Sequence, residues 1–181
     1  MSTPDDAVLI RQCLEGDSNA FGVLIDRYQK PLYNTALRMT GDSEDARDIT
    51  QDTFVKAYER LKEYRPEHKF FSWIYRILIN DAINHLKQRK QTQGTEVEIV
   101  SHGRAPDEEF DANRQSGRIE RALRDLSFDQ RVVIVLRYFN DMSYQEMSDV
   151  LSLPEKTVKS RLYCARQNLA TLLTQLGVVV P

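Results

Sequence analysis

Apolar positions recur every three to four residues along most of the chain, the spacing of helices with one buried side. From Asp5 to Leu14, Val8, Leu9 and Cys13 share a face, and Gly16 ends the segment. A second helix should open at Asp17 and bury Ala20, Phe21, Leu24, Ile25, Tyr28, Leu32, Tyr33, Ala36 and Leu37 before Gly41 stops it. Pro31 removes one backbone donor within it, which predicts a kink or two shorter helices. Asp42 starts a third helix whose first turn is acidic, as the positive end of a helix dipole favours. Its inward seam is Ala46, Ile49, Thr53, Phe54, Ala57, Tyr58 and Leu61. A fourth helical pattern carries Trp73, Ile74, Ile77 and Leu78.

Residues 91–117 break the periodicity. They hold Gly94, Gly103, Pro106 and Gly117 with few apolar positions, the marks of a linker. Helical spacing resumes near Arg118 with Ile119, Ala122, Leu123 and Leu126. Ser127 and Gln130 then form a capping pair ahead of the run Val132 to Phe139, which is β-prone in composition but lies between a cap and the Asn140-Asp141 turn. Ser143 and Glu146 make a second capping box, opening a short helix that buries Met147, Val150 and Leu151. Ser152-Leu153-Pro154 ends it, and proline suits the first turn of the next helix. There Val158, Leu162, Ala165, Leu169, Leu172, Leu173 and Leu176 form the core seam. The pattern predicts an all-α fold of two small helical domains, residues 1–90 and 118–177, joined by a flexible acidic linker at 91–117.

The faces turned away from these seams carry the candidate chemistry. On the last helix Lys156, Ser160, Tyr163, Cys164 and Gln167 point outward with Thr157 beside them, flanked by Lys159 and Arg166 on one edge and Arg161 on the other. Hydrogen-bonding groups between cationic edges suit a DNA major groove, bases at the centre and phosphates at the sides. A helix pair with a merely solvated polar face has the same pattern. Residues 64–90 mix cations with aromatic rings: five of the chain's sixteen aromatics, Tyr64, Phe70, Phe71, Trp73 and Tyr75, fall in twelve positions around the loop Arg65–Lys69. Such interleaving fits single-stranded nucleic acid, where a stacked base contributes about 1–3 kcal/mol. Trp73 is read as core in preference to a stacking platform, given its helical spacing with Ile77. Beyond it, Asn80, Asn84 and Lys87 form a polar stripe. The third helix turns Asp45, Asp48, Gln51, Asp52 and Lys56 outward, a surface either simply solvated or suited to a basic partner.

Charge modifies this picture. The formal net charge is −2, low for a freestanding DNA binder. The cations are local: Tyr64–Lys90 carries 6 basic against 2 acidic side chains, and residues 118–181 carry 9 against 7, with a stretch of 2 against 6 at 91–117 between them. Phosphate neutralisation supplies most non-specific affinity for DNA, so this chain by itself should bind DNA weakly and act with a larger partner. Two distant cysteines and three histidines give no disulfide framework or metal-ligand spacing, and no cofactor is expected. No apolar run reaches membrane-span length and the N-terminus lacks a secretion pattern, so a cytoplasmic protein without membrane insertion is expected. No nucleophile–base pair or phosphate loop points to an enzyme.

Three stretches in order resemble the bacterial sigma factors of RNA polymerase. DSEDARDITQDTFVKAYERL is similar to the family's segment for the polymerase clamp, and FFSWIYRILINDAINHLKQRK to its −10 segment, F-x-x-W-[LI]-x-x-I-x-x-N-x-x-x-[DN]. LRDLSFDQRVVIVLRYFNDMSYQEMSDVLSLPEKTVKSRLYCARQNL is similar to its −35 domain, with S-Y-x-E-[IM] and T-V-K-S-R-[LI]. The short two-domain layout resembles the extracytoplasmic-function group. The resemblance implies a chain that joins core RNA polymerase at the β′ clamp and β flap, reads −10 and −35 promoter DNA and helps melt it, held inactive by an anti-sigma factor. In that reading Asp45, Asp48, Gln51 and Asp52 contact the clamp. The loop Arg65–Lys69 holds a flipped −10 base, Arg65, His68, Lys69 and Phe70 bind the −10 DNA, and Asn80, Asn84 and Lys87 lie close to the strand or the upstream duplex. Lys156, Thr157, Lys159, Ser160, Arg161, Tyr163, Cys164, Arg166 and Gln167 face the −35 element, and the acidic linker lies in the RNA exit path.

Three positions depart from the family. Cys164 stands where many members have a basic residue, Leu126-Ser127-Phe128 replaces L-x-P, and Asn84 stands where aspartate is common. Cysteine lacks the bidentate contact to guanine, worth about 1–3 kcal/mol, which points to an altered −35 preference. A small groove-facing residue is the favoured account of Cys164 over a redox switch. The rival reading of the whole is an autonomous helix-turn-helix regulator with a ligand-sensing or dimerising N-terminal domain.

Overall fold

The computed structural model describes residues 4–67, 69–92 and 111–178. Their regular structure is helical throughout: α1 (Asp6–Leu14), α2 (Ser18–Thr40), α3 (Ser43–Glu59), a 3-10 turn at Leu61–Glu63, α4 (Phe70–Thr92), α5 (Asp111–Asp125), α6 (Phe128–Tyr138), α7 (Tyr144–Leu151) and α8 (Glu155–Gln175). The flexible linker expected at 91–117 falls largely outside the described residues. At its borders α4 runs on to Thr92, and α5 begins at Asp111, earlier than the Arg118 that apolar spacing predicts. Polar residues extend a helix as readily as apolar ones once it is nucleated, so apolar periodicity does not mark the polar first turns.

Local caps set most of the boundaries. Asp17 accepts from the Asn19 N–H at 3.0 Å, and Asp42 from Glu44 and Asp45 at 2.8 and 3.1 Å, each satisfying helix-end donors worth about 1 kcal/mol. Gly41 closes α2 at φ 74° with its N–H on the Leu37 carbonyl at 2.8 Å. A Cβ there would also come within 2.9 Å of Arg124 Cδ, so that side chain would have to shift. The Ser143–Glu146 capping box forms in both directions. Ser127 occupies the N-cap position of α6 without a side-chain cap bond, so the expected second box is not made. Pro31 does not divide α2, which runs unbroken across it. Tyr28, Leu32, Thr35 and Ala36 are buried around it, and this packing outweighs one lost hydrogen bond.

Helices α1 to α4 form one bundle in which α2 packs on α1, α3 and α4. Helices α5 to α8 form the second, with α8 against α5, α6 and α7. The inward seams follow the periodicity in the main, but α1 buries Leu9 and Ile10, Tyr58 and Phe139 are exposed, and Ile25, Tyr33, Leu169 and Leu172 are only partly buried. The bundles also pack on each other, α4 against α7 and α2 against α5 and α6, and their buried side chains join into one cluster. Helix α4 is therefore covered over a wide arc: Ile74 and Leu78 on one stripe and Tyr75, Ile79 and Ala82 on the next are almost wholly enclosed.

Polar contacts also cross the seam between the bundles. Arg131, 4% exposed, donates to the Met39 carbonyl across the seam at 2.5 Å and to the Arg124 and Leu126 carbonyls at 2.7 and 3.2 Å. Asn140 donates to Thr35 Oγ1 at 3.0 Å and Tyr75 Oη at 2.8 Å. Arg38 lies 3.4 Å from Glu120 and 4.1 Å over the Phe139 ring. Arg76 donates twice to the Asp149 carbonyl, once at 2.9 Å through Nε. Lys69 donates to Glu146 at 2.7 Å.

Candidate nucleic-acid interface

The loop before α4 has a firm base. Phe70 meets Tyr28, Tyr64 and Trp73 with ring centroids 5.5–5.8 Å apart, an edge-on or tilted cluster. Tyr64 also sits 5.6 Å from Trp73. Asp6 of α1 accepts from Tyr28 and pairs with Arg27, fastening α1 to this cluster. Burial first, and then the Asp6 carboxylate, push the Tyr28 phenol well above its ordinary range. The aromatic enrichment at 64–75 is thus in large part a core.

This corrects one candidate. Phe70 is 2% exposed, so it does not offer its face to a nucleobase; it anchors the loop from below. Its enclosure follows from position, at the first turn of α4 facing α2. Trp73, read as core, is half-buried in the same cluster. Arg65 and Lys69 are exposed above it, and His68 lies outside the described residues. Along α4, Asn80, Asn84 and Lys87 are all exposed at i, i+4 and i+7, a continuous polar stripe. Lys69 is not idle: Glu146 holds it, and its ammonium pKa is raised by that bond.

The acidic side of α3 is divided. Asp48, Gln51 and Asp52 are exposed. Asp45 is half-buried and engaged by α4, with His85 Nε2 and Arg89 Nη1 each 2.9 Å away. Lys56 likewise pairs with Asp81 of α4 at 2.6 Å. Beside Gln51 runs a groove of about 410 Å³ between α2 and α3, lined by Ile25, Gln29, Lys30, Tyr33, Arg47, Thr50 and Phe54. Periodicity placed Ile25 and Tyr33 in the core, and so gave no sign that the groove's floor borders the surface.

The outward face of α8 is the most open of the three. Lys156, Lys159, Ser160, Tyr163, Cys164, Arg166 and Gln167 are exposed, Tyr163 at 65%, while Val158, Leu162 and Ala165 are buried behind them. Thr157 and Arg161 are half-exposed at the margins. Lys159 pairs with Glu155 one turn earlier and sits 5.1 Å over the Tyr144 ring, and Arg161 lies 3.4 Å from Asp129. Lys156 and Arg166 have no ion-pair partner among the described residues. Pro154 starts the helix and Ser152, in the left-handed region at φ 53°, turns the chain between α7 and α8. The result is a two-helix unit with an exposed second helix, the arrangement of a helix-turn-helix. Among the described residues, no group of acidic, cysteine or histidine side chains is placed to hold a metal. No described helix is long and apolar enough to cross a membrane.

Comparison with known proteins bears on both bundles. Residues 24–92 match Sigma-70 region 2, and residues 116–169 match Sigma-70 region 4. The chain is 31% identical to the ECF RNA polymerase sigma factor SigW of Bacillus subtilis over 92% of its own length and 96% of the relative's. It is 30% identical to the ECF RNA polymerase sigma-E factor of Escherichia coli, over 90% and 91%. Among solved structures, CnrH in complex with the cytosolic domain of CnrY superposes with a TM-score of 0.74 at 29% identity, covering 94% of this chain and 97% of that one. The sigma factor RpoE of Bartonella quintana, in complex with the anti-sigma factor NepR, superposes at 0.71 and 25% identity, covering 85% and 96%. The chain belongs to the ECF family of RNA polymerase sigma factors. It is a transcription initiation factor and not an enzyme.

Proposed function

We propose that this sigma factor works in the cytoplasm, docks on core RNA polymerase at the β′ clamp and β flap, and directs it to promoters through two separate DNA faces. The observation that carries this reading is the pairing, within one chain, of a region-2 bundle bearing the polar stripe of α4 and a region-4 bundle bearing the open face of α8. Residues 1–90, 91–117 and 118–177 then serve as the clamp and −10 domain, the acidic linker and the −35 domain. Asp48, Gln51 and Asp52 supply the polar side of the clamp contact, and the adjoining groove of Ile25, Tyr33 and Phe54 its apolar side. Asp45 orients α4 through His85 and Arg89 and joins the contact only if it is released.

At the −10 element Arg65, His68 and Lys69 bind the strand, and Asn80, Asn84 and Lys87 line its upstream path. Flipping a base costs a few kcal/mol, which docking on the polymerase must offset. At the −35 element Ser160, Tyr163, Cys164 and Gln167 face base edges, while Lys156, Lys159, Arg161 and Arg166 take phosphates. Likeness to a sigma factor solved with an anti-sigma factor supports control by such an inhibitor. Run-off transcription with core polymerase and genomic fragments tests the whole reading. Discrete transcripts should require the added chain, and joint alanine substitution of Asp48, Gln51 and Asp52 should remove them. Tight binding to palindromic sites without polymerase would favour the autonomous regulator instead.

A further inference from the structure

One cavity lies apart from the polar stripe of α4 and the outward face of α8. It holds about 330 Å³ where α2 meets the turn after α6. Its α2 wall is Lys30, Asn34 and Arg38 at i, i+4 and i+8, with Pro31 and Thr35 one step round the helix. Phe139 and Asn140 of the turn complete it, so both bundles contribute. The volume falls at the small end of the range that takes compact organic ligands, about 300–1,000 Å³.

The polar groups of this wall are unevenly engaged. Thr35 Oγ1 donates to the Pro31 carbonyl at 2.9 Å and accepts from the Asn140 amide, which also donates to Tyr75. Thr35 and Asn140 are thereby fixed in place. The Lys30 ammonium and the Asn34 side-chain amide have no hydrogen-bond or ion-pair partner among the described residues. Arg38 gives Nη1 to the Asn34 carbonyl at 3.2 Å. Its Nε is buried without a hydrogen bond among the described residues, with Glu120 3.4 Å away. None of the seven lining residues is acidic, and two are cations. Free N–H donors around two positive charges match the oxygens of a phosphoryl group. Phe139 adds an aromatic ring that is 39% exposed, with the Arg38 guanidinium over it at 4.1 Å.

We propose that this cleft binds a small phosphorylated ligand of the mononucleotide class. Lys30 and Arg38 hold its phosphate, Asn34 meets a base edge, and the base lies against Phe139. A cleft of this volume takes a single nucleotide, whereas a duplex backbone needs an open face such as that of α8. Glu120 stands beside Arg38 and competes with the phosphate, which tunes the affinity. The site is independent of the assignments made for the clamp and for promoter DNA.

The test uses the full chain without polymerase or DNA, titrated calorimetrically with AMP, GMP, ribose 5-phosphate and inorganic phosphate. A mononucleotide should bind at one site per chain, and ribose 5-phosphate about 10-fold more weakly, the loss expected for one stacked ring. Lys30→Gln and Arg38→Met should each weaken nucleotide binding about 10-fold, as the loss of one charge-assisted contact does. Glu120→Gln should tighten it about 3-fold by removing the competitor. Lys30 is exposed, so its variant reads the site even where Arg38→Met disturbs the seam. In nuclear magnetic resonance spectra of the wild-type chain, the Asn34 side-chain amide should shift on titration. Absence of saturable binding by either nucleotide, binding indifferent to Lys30→Gln, or shifts confined to Arg65, Lys69 and α8 would overturn the site. Equal affinity for AMP and ribose 5-phosphate would overturn the contact with Phe139.

Discussion

The two helices assigned to DNA, α4 and α8, are 23 and 21 residues long and both amphipathic, yet they are enclosed to different degrees. Helix α8 has neighbours on one side only, so its outward face from Lys156 to Gln167 stands in solvent. Helix α4 has α2 and α3 on one side and α7 on another, which leaves the stripe of Asn80, Asn84 and Lys87. The outward face of α8 is open as it stands. Lys69, just ahead of α4, and Arg76, in its second turn, are both held by oxygen atoms of α7. One of the two helices presents an open face, and the other is covered over most of its surface.

Leu78→Ala in α4 empties a fully enclosed site and should cost about 2–5 kcal/mol in denaturant unfolding. Tyr163→Ala on α8 should leave stability within about 0.5 kcal/mol while weakening −35 DNA binding in the holoenzyme. Arg131→Ala strands the carbonyls it serves in both bundles and should cost about 1–3 kcal/mol, with separate unfolding of the two bundles in calorimetry. A single cooperative transition of unchanged midpoint would show that Arg131 does not couple them. Cys164→Arg should shift −35 preference towards guanine by about 1–3 kcal/mol at one position, measured by competition among promoter variants, and leave the seam untouched.

Two smaller effects depend on pH. Lys69 first, and the Ser143 N–H with it, hold the Glu146 carboxyl below its ordinary 4.5. The stabilisation is present above that value and is lost as pH falls through the lowered one, so the scattering radius should grow on acidification and Glu146→Gln should flatten the change. Burial raises the Tyr75 phenol to about 12, although the bonds with Thr35 and Asn140 act the other way. The unfolded chain releases that proton near the ordinary 10.0 and the folded chain only near 12, so stability should fall between those pH values, and Tyr75→Phe should lessen the fall.

What was legible in the sequence was local or periodic. The box of Ser143 with Glu146, the caps at Asp17 and Asp42 and the glycine stop at Gly41 depend on neighbours a few residues away, and each is made. The seam of α8 follows from helical spacing, and so does the outward set from Lys156 to Gln167. The same kind of reasoning failed where packing decides. Ser127 has cap chemistry but no cap bond, Pro31 sits within an unbroken helix, and Phe70 turned out to be the floor of its loop. Asp45 has the outward spacing of Asp48 and Asp52, but only the approach of α4 puts His85 and Arg89 against it.

The sequence alone thus determined the helical class, the two units, the family and the outward face of α8, because helix periodicity and caps act within one or two turns. Tertiary structure alone decided that Glu146 meets Lys69 and Asp149 meets Arg76, pairs separated by 77 and 73 residues. No spacing rule links such distant residues; their meeting depends on how two finished bundles dock, and through it on which cations are left for DNA.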